Sequence, residues 1–313
     1  MKKLINKVLS HPLLLEKPPV LVDIGASEKI NPKWRKFSKY SVCIAFDADD
    51  RDFSIVSKEN EEFKKLYKIN RIVTINDSDS EKFYLTKSPY CSSLLKPDLL
   101  SLSNYSFFDK FEIDSEKVLP AIRVSEILNE LNIGYVDWFK SDSQGTDLRL
   151  FLELSEKIYK SVIVAEFEPG IIDAYFNEDK MTDVMIKMNE LNFWCSDIII
   201  KGSVRMNHQL LKSISGNKYF RKLIQFSLKT SPGWAEILYF NSFKDNKSLR
   251  DYLLGWIFAI SQKQYGFAFE LADKARKNFN DPIVNELFTR TKNMIKYRFL
   301  NKNLILQILK SKL

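Results

Sequence analysis

The chain has 313 residues, of which 45% are hydrophobic and 28% charged, with a formal net charge of +8. These values describe a globular chain long enough for one large domain plus an appendage, and they exclude fibrous and wholly disordered classes. Three scattered cysteines (Cys43, Cys91, Cys195) form no C-x-x-C pair and there are only two histidines, which argues against a structural zinc site or a disulfide framework and for a reducing, cytoplasmic setting.

Residues 1–19 read as an amphipathic lead-in ending at Pro18-Pro19. The breaks at His11-Pro12 and Glu16-Lys17 deny it the unbroken apolar core of a secretory signal, and no run approaches the length of a membrane span. Val20-Leu21-Val22-Asp23-Ile24-Gly25 is then a short apolar run without alternation, the pattern of a strand buried on both faces. Ser41–Asp47, Arg71–Asp77, Tyr135–Asp142 and Ser161–Phe167 repeat it. Helical spacing marks Val124–Leu131, Leu148–Leu154 and Met181–Leu191, and Phe193–Ile200 and Trp234–Phe240 read as two further strands. Strands alternating with helices predict a parallel sheet of βαβ units, a Rossmann-like α/β domain over residues 20–241. From 242 to 313 the apolar spacing predicts three or four helices. Gly255 to Pro282 loosely resembles one tetratricopeptide-like pair, too little for an array. The closing Ser311-Lys312-Leu313 matches a peroxisomal address and is read as coincidence.

Charge is unevenly spread. Residues 201–313 hold 21 Lys and Arg against 7 Asp and Glu, whereas residues 1–200 hold 27 against 33. A basic C-terminal region of this kind suits an anionic surface or an acidic glycan; its alternative is a solvated helical face with no partner. Nucleic acid is not expected, since no aromatic-basic interleaving is present.

Ligands of an open parallel sheet bind beyond the carboxyl ends of its strands. Five acids close the apolar runs: Asp23, Asp47, Asp77, Asp142 and Glu166. Singly each is explained as a helix N-cap; together they suggest a polar site, because buried carboxylates are costly unless paired. Asp23-Ile24-Gly25-Ala26-Ser27 supplies a glycine turn that lets backbone approach a ligand, and Asp47 is placed to accept from ribose hydroxyls.

Several ordered segments carry a resemblance. They are Val22–Ser27 followed by Pro32 and Trp34, Phe46-Asp47-Ala48-Asp49, Phe83–Thr86 with Cys91–Pro97, Val136–Asp147, and Val164–Glu168. Together they resemble the FkbM family of S-adenosylmethionine-dependent methyltransferases, over residues 20 to about 200 and reaching the strand near 234–241. Asp137-Trp138-Phe139-Lys140-Ser141-Asp142-Ser143-Gln144-Gly145-Thr146-Asp147 carries the most specific part. The resemblance implies a seven-stranded methyltransferase sheet whose last strand is antiparallel, and methyl transfer to an oxygen of a sugar, glycan or secondary metabolite. It implies a cofactor site of Asp23, Gly25, Ala26, Ser27, Asp47, Ala48, Asp77, Ser93 and Asp142, with no metal. Asp142 and Glu166 are the candidate general bases, with His208 third. The chain departs from the family at Glu28-Lys29, where a Gly-rich continuation is usual, at Asp147, which replaces Glu, and at Asn192, where glycine is common. Two alternatives remain: a degenerate methyltransferase fold serving as a binding protein through its basic tail, and a sugar-nucleotide glycosyltransferase using Asp47 and Asp49 as a D-x-D metal site.

Overall fold

The computed structural model describes residues 1–26, 31–48, 62–245 and 247–299. In chain order it forms α1 (Lys2–Leu9), α2 (Pro12–Glu16), β1 (Val20–Ile24), β2 (Val42–Phe46), β3 (Lys65–Ile69), β4 (Ile72–Val73) and β5 (Ser80–Thr86). Then come α3 (Leu99–Leu102), β6 (Ile113–Ile122), α4 (Val124–Glu130), β7 (Trp138–Ser141), α5 (Asp147–Glu153), α6 (Glu156–Ser161) and β8 (Val164–Phe167). α7 (Met181–Glu190) leads to β9 (Phe193–Val204). α8 (His208–Ile214) and α9 (Lys218–Ser227) interrupt the path to β10 (Thr230–Asn241). α10 (Leu249–Ser261), α11 (Tyr265–Asn278) and α12 (Pro282–Phe299) follow.

These elements fall into two compact units. The larger, Val20–Pro32 with Ser41–Ser242, is an α/β unit of Rossmann-like architecture built on a seven-stranded sheet in the order β3-β2-β1-β7-β8-β10-β9. Strands β1, β2, β3, β7 and β8 pair in parallel, and β10 runs antiparallel to both β8 and β9. The apolar runs of β1 and β8 are buried throughout, as strands covered on both faces must be. Phe151 of α5 meets Phe139 of β7 and Phe167 of β8 edge-on, at centroid separations of 5.3 and 5.5 Å. Leu191 caps α7 and is followed by Asn192, whose left-handed φ of 62° is a region that asparagine tolerates.

One expected strand is corrected. The Arg71–Asp77 run contributes only Ile72–Val73, and these pair with β6 in a separate three-stranded sheet, β4-β6-β5. The third parallel strand of the main sheet is instead β3, Lys65–Ile69. It lies at the sheet edge and is only half-buried, so Lys65 and Lys68 interrupt its apolar residues and hide it from a search for continuous apolar runs.

The smaller unit gathers Met1–Pro19, Lys33–Tyr40 and Phe243–Leu313. The N-terminal lead-in therefore groups with the C-terminal helices. Arg250 of α10 donates to the carbonyls of Lys17 (2.8 Å) and Pro18 (3.1 Å), and Lys7 reaches Glu286 at 2.5 Å. α10 begins at a capping box formed by Ser248 and Asp251 and is buried from Tyr252 to Ile260. Trp256 donates its indole N–H to Thr291 at 2.9 Å. Residues 300–313, with the Leu304–Leu309 stretch and the terminal tripeptide, lie outside the described residues. Among the described residues no helix is long and apolar enough to cross a membrane.

Candidate active site

Strand order reverses between β1 and β7, the switch point at which open parallel sheets bind their ligands. Here the chain after β1 turns sharply. Gly25 takes φ +78°, and its N–H and that of Ala26 both donate to the Phe46 carbonyl at 3.0 and 3.1 Å. The Asp142 N–H in turn donates to the Ile24 carbonyl at 3.0 Å. A Cβ on Gly25 would meet the Asp142 carbonyl oxygen at 2.3 Å. Glycine is therefore demanded twice, by conformation and by the approach of β7.

A cleft opens at this point, where such sheets seat their ligands. Its floor is Gly25, Asp47, Ala48 and Asp142, and its walls include Phe83, Tyr90 and Gln144. A second cavity adjoins it, sharing Tyr90, Asp142 and Gln144. The second cavity has an aromatic wall: Phe107 lies 5.1 Å from Phe111 and 6.2 Å from Trp234, and Phe111 lies 5.7 Å from Tyr175. Glu168, Glu178 and Lys110 supply its charge.

The polar framework explains the Val136–Asp147 segment. Asp147 is fully enclosed and accepts from the Ser141 hydroxyl (2.7 Å), the Ser143 hydroxyl (2.6 Å), the Ser143 N–H (2.8 Å) and the Glu168 N–H (2.8 Å). It ties the loop after β7 to the end of β8. Gln144 donates to Asp142 at 2.5 Å, and its Oε1 lies 3.1 Å from the Tyr175 hydroxyl, which also donates to the Cys91 carbonyl at 2.8 Å. Gln144 and Gly145 both take positive φ, 57° and 108°. Asp147→Ala removes the acceptor of four donors, of which the Ser141 hydroxyl is buried, so a loss of about 3 kcal/mol is expected in urea unfolding. A loss below about 1 kcal/mol would remove Asp147 from this structural role.

Beneath the cleft runs a charged row. Asp23, Lys140 and Glu166 are register partners on β1, β7 and β8. Lys140 reaches Asp23 at 2.8 Å, and Asn31 donates toward both oxygens of Glu166 at 3.5 Å. Burial disfavours the Lys140 ammonium, but Asp23, Asp142 and Glu166 outweigh it and raise its pKa. Burial pushes Glu168 up to about 9, with repulsion from Asp142 adding to it. Burial likewise pushes Asp142 up to about 6 against the pull of Lys140.

The structure thus brings together Gly25, Asp47, Ala48 and Asp142 of the expected site. Asp23 and Ala26 lie behind the cleft, Asp23 held by Lys140. Ser93 does not line the cleft either: it is buried and donates to the Gln144 carbonyl at 2.7 Å, which positions that loop. Asp77 does not join them, because its strand belongs to the small sheet, and its exposed carboxylate pairs with Arg123 at 3.2 Å. Ser27 and the Glu28-Lys29 loop lie outside the described residues, as does Asp49. Glu166 lines neither cavity, pointing instead at Asn31; the acid that does face the second cavity is Glu168, two residues on. His208 is buried 2.6 Å from Asp109 and lines neither cavity. Of the wall, the sequence pointed only to Trp234, among the aromatics near the C-terminal region that could help form an acceptor pocket; Tyr90, Phe107, Phe111 and Tyr175 were passed over, and of these only Tyr90 lies within the Phe83–Pro97 stretch that carries the resemblance.

No protein-family model matches this chain, and no curated protein matches it.

Proposed function

We propose that this chain is an S-adenosylmethionine-dependent methyltransferase of the FkbM type that methylates a hydroxyl oxygen. The observation that carries this reading is the pairing of two cavities across Asp142: one at the switch point lined by Asp47, the other aromatic and carboxylate-lined. The first suits a nucleoside without phosphate. Its glycine turn brings bare backbone to the ligand, Asp47 stands at the end of β2 where a diol is gripped, and Phe83 and Tyr90 offer apolar surface. The strand order, with its single antiparallel strand β10, supports the same reading.

When bound, S-adenosylmethionine supplies a methyl already activated by a sulfonium charge. What remains for the protein is alignment, exclusion of water and removal of one proton. Asp142 borders both cavities and is held by Gln144. Glu168 faces the second cavity and is the base for the acceptor hydroxyl. The Phe107–Trp234 wall suits the C–H face of a sugar ring or another hydroxylated ring.

Calorimetric titration tests the reading. The wild-type protein is expected to bind S-adenosylmethionine and S-adenosylhomocysteine, and Asp47→Ala to weaken both by about 10- to 100-fold, the worth of charge-assisted hydrogen bonds to a diol. Absence of binding to the wild type would overturn the reading.

A further inference from the structure

The connection from β9 to β10 departs from everything around it. Residues 205–229, between the two strands, contain six Lys and Arg and no Asp or Glu. Within it, α8 and α9 begin at Asn207 and Asn217, whose side chains accept from the first-turn N–H groups. α9 is well capped, yet none of its residues is buried. Its apolar side chains are grouped: Tyr219, Leu223 and Phe226, at i, i+4 and i+7, share one face and are 80%, 66% and 92% exposed. Phe220 borders that face, and Leu210 and Ile214 of α8 add two more exposed apolar side chains. Lys222 and then Lys218 border this face on the side away from Phe220, and Arg221 lies opposite it. Lys218, Lys222 and Lys229 form no ion pair with a described residue.

An exposed apolar helix face is costly in water and marks a surface that is covered when the protein works. We infer that α9, with α8, is an interfacial anchor that lays this face into an anionic lipid bilayer. Three observations select that partner. The bulky apolar residues lie on a single face flanked by lysine, the arrangement of helices that rest in the headgroup layer. The excess of positive charge in this segment, offset among the described residues only by Asp109 beside His208 and Lys212 of α8, complements anionic lipid and opposes pairing with a second copy of itself, which would bring two such surfaces together. Leu210, Ile214 and Leu223 offer nothing for base stacking, so a nucleic acid would leave half the face uncovered. This inference does not depend on methyl transfer.

The test is co-sedimentation of the full chain with vesicles of neutral phosphatidylcholine and with vesicles containing roughly one third phosphatidylglycerol. The wild type is expected to sediment with the anionic vesicles only, and less so as salt is raised. Phe226→Asp and, separately, the Lys218→Glu/Lys222→Glu pair are each expected to weaken this about tenfold or more. These side chains are solvent-exposed, so an unchanged thermal melt should accompany the loss. In a Phe226→Trp variant, emission should shift to the blue and be quenched by brominated acyl chains on anionic vesicles. The proposal is overturned by a wild type that ignores anionic vesicles, by equal binding to neutral ones, or by a Phe226→Asp variant that binds undiminished. It is equally overturned by a wild-type dimer that Phe226→Asp dissociates without any vesicle binding.

Discussion

Gly25→Ala is expected to abolish binding of S-adenosylmethionine and S-adenosylhomocysteine while leaving the protein folded. The position has φ +78°, which costs an alanine about 1–2 kcal/mol. The added Cβ also meets the Asp142 carbonyl oxygen at 2.3 Å. That neighbour is backbone, hydrogen-bonded back to Ile24, so relief requires β1 and β7 to part at the point where the cleft begins. Asp142 then shifts relative to Asp47, and both cavities are disturbed at a residue they share. A weakening of about 100-fold or more is expected, since a misplacement of about 1 Å at such a site is worth that much. Far-ultraviolet circular dichroism should remain that of the wild type, because the phenylalanine core at α5 is untouched. Titration showing wild-type affinity in Gly25→Ala would mean that the turn is not the ligand's seat. Gly134, with nothing within 4 Å of an added Cβ, is the control position and should tolerate alanine.

The central sheet was legible because its strands are fully buried and therefore announce themselves as unbroken apolar runs, as in Val20–Ile24 and Val164–Phe167. The edge strand β3 was not, since half-burial leaves room for the lysines of Lys65-Leu66-Tyr67-Lys68-Ile69. Arg71–Asp77 deceived for the opposite reason: its apolar pair is buried, but against β6 in another sheet. Among site residues, those set by backbone were readable; Gly25 and Asp142 follow from where strands end. Side-chain direction was not. Glu166 and Glu168 look alike in sequence, and only the fold shows that one faces Asn31 and the other the second cavity. The signature's last acid, Asp147, is a bracket for Ser141, Ser143 and Glu168 rather than a ligand contact. The basic tail divides as well. Part of it is the β9–β10 insertion, which belongs to the sheet unit and not to the C-terminal helices.

Glu168→Gln is expected to lower kcat by about 100- to 10,000-fold, the range for removing a general base, with cofactor affinity changed far less. The variant should also reveal why the base is poised. Burial and the neighbouring Asp142 hold Glu168 up to about 9, so at pH 7.5 the pair retains one proton. A sulfonium bound beside it favours the carboxylate and expels that proton; S-adenosylhomocysteine, without the charge, does not. Titrations in buffers of different ionisation enthalpy should therefore show more proton release with S-adenosylmethionine than with S-adenosylhomocysteine, and the difference should vanish in Glu168→Gln. The same shift acts on stability. A carboxyl whose folded pKa lies above its unfolded value of about 4.3 keeps its proton in the folded state alone between about pH 4.3 and 9, so wild-type stability falls as pH rises through that window. Glutamine carries no such proton, and the variant should lose less stability over the same range, ending more stable than the wild type at pH 8. Greater stability with lost turnover is the mark of a group held in an unfavourable state for its chemistry. Equal proton release for the two ligands, together with unchanged turnover in Glu168→Gln, would remove Glu168 from the reaction and return the search for the base to Asp142.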